Sequence, residues 1–168
     1  MKKLICLTTL LCIFPLSHCT SPGMPDNTDT TTETPAAAPA EMTDAELETL
    51  AGNYVNTLKA INGELEPSNI HGSRVKTFLD PEAFEAYESK SFPYANDTVS
   101  IKESHNSPTG PIGRLYVMKK IEGYDPGNGD WFYGVMSPEG VASQKGKIQF
   151  CINCHKGAQD KDYIFGFE

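Results

Sequence analysis

The 168-residue chain predicts an α+β fold: a β-rich antiparallel sheet with one N-terminal helix and a Cys-x-x-Cys-His turn near the C-terminus. Three observations predict it. Apolar residues recur at helical spacing behind a capping sequence at Thr43, three later runs are β-like and separated by turn-rich loops, and Cys151–His155 lies close to the chain end.

Met1-Lys2-Lys3 followed by the apolar run from Leu4 to Leu16 has the basic head and short hydrophobic body of a secretory signal, assigned to residues 1–18. Export follows from it. Leu16-Ser17-His18-Cys19 resembles a lipobox, so Cys19 is the expected acylation site, and a membrane-anchored lipoprotein facing the periplasm is the expected location. His18 departs from the small residue usual at that place, and ordinary signal cleavage nearby is the alternative. Residues 19–41 are rich in Pro, Thr and Ala and hold almost nothing to bury. They read as a disordered tether, or as a plain flexible N-terminus. The cysteines divide to match: Cys6 and Cys12 leave with the signal, Cys19 takes lipid, and Cys151 and Cys154 remain.

Residues 42–168 then suffice for one domain with one core. The formal charge of −8, made more acidic when Lys2 and Lys3 are removed, disfavours nucleic acid and anionic lipid surfaces as partners.

Thr43-Asp44-Ala45-Glu46 has the form of a capping box, and Leu47, Leu50, Ala51, Tyr54, Val55, Leu58 and Ile61 continue at helical spacing. The helix is expected to end near Asn62-Gly63, with its stripe serving the core or a subunit contact. Val75 to Leu79 reads as a strand. Asp80-Pro81 caps a short helix through Ala83, Phe84 and Tyr87, and Ser91-Phe92-Pro93 turns the chain. The β-like runs are Thr98 to Lys102, Leu115 to Ile121 and Trp131 to Met136, with Tyr124 to Asp130 and Ser137 to Gly140 as turns. Antiparallel pairing is the simplest consequence.

Cys151-Ile152-Asn153-Cys154-His155 is the spacing of covalent c-type haem attachment. Two thiols three residues apart share one side of a helical turn, so both can add to the vinyl groups of one porphyrin, and the adjacent imidazole reaches the iron. One covalently bound haem c is therefore expected, with His155 as its metal ligand. A zinc half-site, helped by His71, His105 or His155, a redox pair and a structural disulfide are the competing readings; the last two have no need of the histidine.

Phe92-Pro93, Val99-Ser100-Ile101-Lys102-Glu103, Leu115 to Lys119, Gly129-Asp130-Trp131-Phe132 and Cys151 to His155 followed by Asp162-Tyr163-Ile164-Phe165 together resemble the cytochrome P-460 family, over most of the stretch from His71 to Phe167. The resemblance implies a β-rich homodimer with a five-coordinate haem open on its distal face, as in the related cytochrome c′-beta. It implies thioethers at Cys151 and Cys154, His155 as proximal ligand, and Lys102 as the catalytic lysine cross-linked to the porphyrin edge. Period two sets Val99 and Ile101 on one strand face and Ser100 and Lys102 on the other, a pattern that also fits a solvated lysine.

A departure from the family concerns the proton acceptor. The family resemblance implies a carboxylate shortly before the first haem cysteine, but Lys145 to Phe150 contains no acid; Glu139 and Glu103 are the nearest alternatives. Phe92, Phe150 and Phe78 are candidate aromatic caps for the distal face, with core packing as their ordinary role. For an electron carrier with two strong axial ligands the second ligand must come from upstream. Met118 and Met136 fall in strand-like runs suited to packing, while His71 and His105 have the polar, Gly-rich flanks of exposed loops. The expected function is an exported mono-haem cytochrome that binds, and in its fuller form oxidises, hydroxylamine or nitric oxide, handing electrons to an external acceptor. The alternatives are a periplasmic electron-transfer cytochrome and a non-catalytic nitric oxide binding or sensing protein.

Overall fold

The computed structural model describes residues 38–166. The expected signal segment, Cys6, Cys12, the Cys19 acylation site, most of the expected tether and Phe167 lie outside the described residues.

Helix α1 (Asp44–Thr57) opens on the expected capping box. The Thr43 hydroxyl accepts from the Glu46 amide at 3.2 Å, and Glu46 Oε2 accepts from the Thr43 amide at 2.7 Å. Its end differs from expectation. Leu58 is already extended, and Lys59–Ala60 form a short strand, β1, opposite Leu79 and Phe78. The periodicity misled because Leu58, Ala60 and Ile61 are apolar for another reason: Leu58 and Ala60 pack against one side of the sheet and Ile61 against the other. Asn62 does not cap a helix. Its side-chain oxygen accepts from the Thr77 amide at 2.9 Å, and its amide donates to the Val75 carbonyl at 3.2 Å, extending the ladder beside β3 (Arg74–Leu79).

After β2 (Glu66–Pro67) and β3, Asp80 accepts from the Ala83 amide and Pro81 starts α2 (Pro81–Ser89), as expected. The chain then forms an antiparallel meander of β4 (Val99–His105), β5 (Ile112–Lys120), β6 (Trp131–Met136) and β7 (Ala142–Gly146). The sheet is seven-stranded, in the order β1-β3-β4-β5-β6-β7, with β2 also on β3. Strand β4 runs on past Lys102 through Glu103, Ser104 and His105, and β7 forms where no strand was expected. Both stretches are polar and look like loop in isolation; the ladder with their neighbours supplies what side-chain burial does not.

The sheet separates two cores by strand alternation. On one face Ile101, Leu115, Val117, Phe132 and Met136 pack under α1, whose Leu47 is fully buried and contributes about 2 kcal/mol. Leu79, Met118, Trp131 and Tyr133 point to the other face, where they meet α2, helix α3 (Gln149–His155) and the chain end at Tyr163 and Ile164. The second layer holds the Cys-x-x-Cys-His turn.

Candidate functional site

Helix α3 is two turns long and is fixed by Ile152, which is buried at 2% exposure against the second core. Because Ile152 faces inward, Cys151 is left half-buried and Cys154 exposed along a cleft edge, both as free thiols. His155 closes the helix and is itself buried.

The chain then makes a 3-10 turn over Lys156–Lys161 and doubles back through Asp162 and Tyr163, both with left-handed backbone (φ 48° and 69°). That conformation is costly for a tyrosine, and the surroundings hold it in place. Asp162 Oδ2 accepts from Lys120 Nζ at 2.5 Å and from the Tyr94 amide at 2.8 Å, and the Tyr163 amide donates to the Ala158 carbonyl. The result is a Tyr163 carbonyl oxygen 2.6 Å from His155 Nδ1. A carbonyl only accepts, so Nδ1 carries the proton and Nε2 carries the lone pair. This is the tautomer a metal-binding imidazole needs, with the second nitrogen anchored as metal-ligating histidines generally are.

Around His155 a cavity is lined by Lys102, Ser100, Tyr116, Met118, Tyr133 and Cys151, among others. Two further clefts adjoin it, one along Cys151, Cys154, Phe150 and Arg114, the other along Lys102, Cys154, Glu66 and Phe165. Lys102 thus faces the site and Ile101 the α1 core, as strand alternation requires. The Lys102 amine has no hydrogen bond or ion pair among the described residues, and burial holds its pKa below the ordinary lysine value, opposed by Glu66 and Cys154. Burial also depresses the His155 pKa, Lys102 adding to the effect while the Tyr163 bond opposes it, and it raises that of the Cys151 thiol.

Several sequence expectations need correction. His105 is in a strand, buried, with Nδ1 on the Gly110 carbonyl at 2.9 Å and Nε2 on Glu103 at 3.0 Å. Glu103 also accepts from the Tyr54 hydroxyl at 2.6 Å, on the α1 face, so it is not at this site; the β4 bulge falls one residue too late to turn it. Glu139 is exposed in the turn whose Gly140 packs against α1. Packing, the ordinary role expected of them, is what the structure shows for Phe78, edge-on to Tyr54 at 5.1 Å, for Phe92, against Tyr94 at 5.4 Å, and for Met136, in the α1 core. Of the expected caps only Phe150 borders a cleft here.

Two residues at the site escaped sequence reasoning, and a third, weighed as an upstream ligand, was expected to be exposed. Phe165 lies with its ring 5.3 Å from that of His155, and Glu66 borders the outer cleft. His71, read as an exposed loop histidine, lines all three clefts, 4.6 Å from the Tyr116 ring and 6.2 Å from the His155 ring. Burial, with Lys102 and His155 adding, pushes its pKa down to about 4, so it is neutral at physiological pH. No local signal marks His71; only the pairing of β3 with β4 brings its loop to the cavity.

The donor set suits haem c. The Cys151 thiol, an imidazole with a free Nε2, aromatic walls and a buried Tyr133 hydroxyl that lacks a hydrogen-bond partner among the described residues border one cavity, and Cys154 lines the two clefts that adjoin it. The zinc reading finds less support, since among the described residues no three His, Cys, Asp or Glu side chains converge as a metal-binding group.

A search of curated proteins finds no match. A family model described as Cytochrome P460 matches residues 53–166, a span from within α1 to Gly166 that takes in all seven strands and the Cys-x-x-Cys-His turn. The chain belongs to the cytochrome P460 family.

Proposed function

We propose that the chain is an exported mono-haem c-type cytochrome that binds small nitrogen species, hydroxylamine or nitric oxide, and oxidises the bound ligand with an external electron acceptor. Family membership makes it a haem cytochrome associated with nitrogen compounds. The finer reading is supported above all by the His155–Tyr163 bond beside the two thiols.

In this reading Cys151 and Cys154 would hold the porphyrin by thioethers, and His155 Nε2 would bind its iron. The bound haem would supply an iron to which the substrate nitrogen attaches and through which electrons leave. The protein's part is to fix and tune. Tyr163 orients His155 and makes it more electron-donating. Lys102, a desolvated amine directed into the cavity, would bond to the porphyrin edge, an N–H and a ring C–H bond giving way to one N–C bond as an external oxidant takes the two electrons and solvent the two protons, and would alter the electronics of the ring. Phe150 and Phe165 supply aromatic walls to the two outer clefts. A base must take the substrate's protons, and Glu66 in the outer cleft is the carboxylate nearest this role.

A second reading, non-catalytic nitric oxide binding, is favoured by one observation. Among the described residues no Asp or Glu lines the inner cavity. Steady-state hydroxylamine oxidation by the purified holoprotein with an artificial electron acceptor separates the two. Turnover supports the enzyme; nitric oxide binding without turnover supports the binder, and neither would leave the electron carrier.

Location and assembly complete the proposal: a periplasm-facing lipoprotein anchored through Cys19, working as a homodimer. The first rests on the signal-like sequence, the second on the family resemblance.

A further inference from the structure

His71 is held in place. Its loop, between β2 and β3, is pinned by the Ser68 hydroxyl, which accepts from the His71 amide at 3.1 Å, and by the Ser73 amide, which donates to the His105 carbonyl at 3.0 Å. Gly72, at φ 98°, presses the loop against β4 so closely that a Cβ would lie 2.5 Å from Ser104 Oγ. The His71 ring stands edge-on against Tyr116, and neither ring nitrogen has a hydrogen-bond partner among the described residues.

The distance between the two histidines carries the argument. Two imidazoles bound end-on to one metal, each by a bond of about 2.0–2.1 Å, stand with ring centres about 6 Å apart. The His71 and His155 ring centres are 6.2 Å apart, and the two rings together line the inner cavity and the cleft along Cys151 and Cys154. A site kept open for a small molecule needs the facing side chain farther away.

We infer that His71 is the sixth ligand of the resting haem iron, a displaceable imidazole that closes the distal position until a small nitrogen ligand replaces it. This rests on the proposed haem at His155 and changes its resting state from open to self-ligated. Because an exogenous ligand binds only the fraction of protein with His71 detached, its apparent affinity is lowered by that fraction. Imidazole is a natural iron ligand, and among the described residues no hydrogen bond holds the His71 ring against a competing ligand.

The test uses the full chain matured in an export host, with haem on the Cys151/Cys154 peptide established first by mass spectrometry. Haem absent from that peptide would defeat the haem reading itself. Given haem, the ferric wild-type protein is expected to show a low-spin electron paramagnetic resonance spectrum, and near-infrared magnetic circular dichroism is expected to show a His/His pair. His71→Ala is expected to convert it to high spin, added imidazole to restore the low-spin form, and cyanide affinity to rise about tenfold or more if the open fraction is about a tenth or less. His71→Gln is a second variant should the alanine form fold poorly. A high-spin wild type, a His/Met or His/Lys signature, or a His71→Ala protein that stays low-spin would overturn the inference.

Discussion

Lys120 and Asp162 form a buried ion pair, Nζ to Oδ2 at 2.5 Å, joining the end of β5 to the turn after the Cys-x-x-Cys-His helix. The lysine also lies over the Trp131 ring, 5.1 Å from its centre. Both charges are below a tenth exposed, so neither is screened by solvent. The pair anchors the left-handed Asp162–Tyr163 segment and, through it, the carbonyl that orients His155.

Asp162→Ala is therefore expected to destabilise the domain by about 3–5 kcal/mol, because it leaves Lys120 buried without its partner. Chemical denaturation of the holoprotein checks this. Asp162→Ala with Lys120→Met should recover much of the loss, and an unrecovered double variant would mean the pair acts in another way.

Gly129 supports the same turn from below. At φ 75°, a Cβ there would lie 2.4 Å from the Tyr163 ring. Gly129→Ala is expected to push Tyr163 aside, lower the melting temperature by several degrees and shift the haem reduction potential as the His155 bond lengthens. An unchanged potential in a folded variant would show that the Tyr163 carbonyl does not tune the site.

Glu103 offers a control on the opposite face. The Gly110 carbonyl fixes the proton on His105 Nδ1, so one proton is shared between His105 Nε2 and Glu103 Oε2 while Tyr54 donates to Oε1. The Tyr54 hydroxyl has its pKa raised by burial and by the Glu103 bond. Glu103→Ala strands two buried groups and should cost about 3 kcal/mol, with the haem absorption spectrum unchanged. Loss of hydroxylamine chemistry in a variant that keeps its fold would restore Glu103 as a site residue.

Lys102→Arg keeps the charge and removes the nucleophilic amine. If Lys102 bonds to the porphyrin, the substitution abolishes a second haem-linked peptide, and hydroxylamine turnover falls at least about tenfold while nitric oxide binding persists, the equivalent of about 1.4 kcal/mol in the barrier. Turnover unchanged in Lys102→Arg would reduce the residue to a wall of the cavity.

What was legible in the sequence follows from locality. The capping box at Thr43, the Asp80-Pro81 start of α2 and strand β6 are written in adjacent residues, and so is Cys151 to His155. The end of α1 was misread because Leu58 and Ile61, three residues apart but packed in the two different cores, imitate one more helical turn. Glu103, His105 and β7 were misread because polar strands are stabilised by partners distant in sequence. His71 and Phe165 belong to the site only through folding, which brings the β2–β3 loop and the chain end to the same imidazole.

The central claim is the covalent haem at Cys151 and Cys154, and peptide mapping by mass spectrometry after denaturation of the exported holoprotein tests it most directly. The account predicts haem mass retained on the peptide containing Cys151, Cys154 and His155, and lost when both cysteines are replaced by alanine. Haem released entirely on denaturation of the wild-type protein would contradict it.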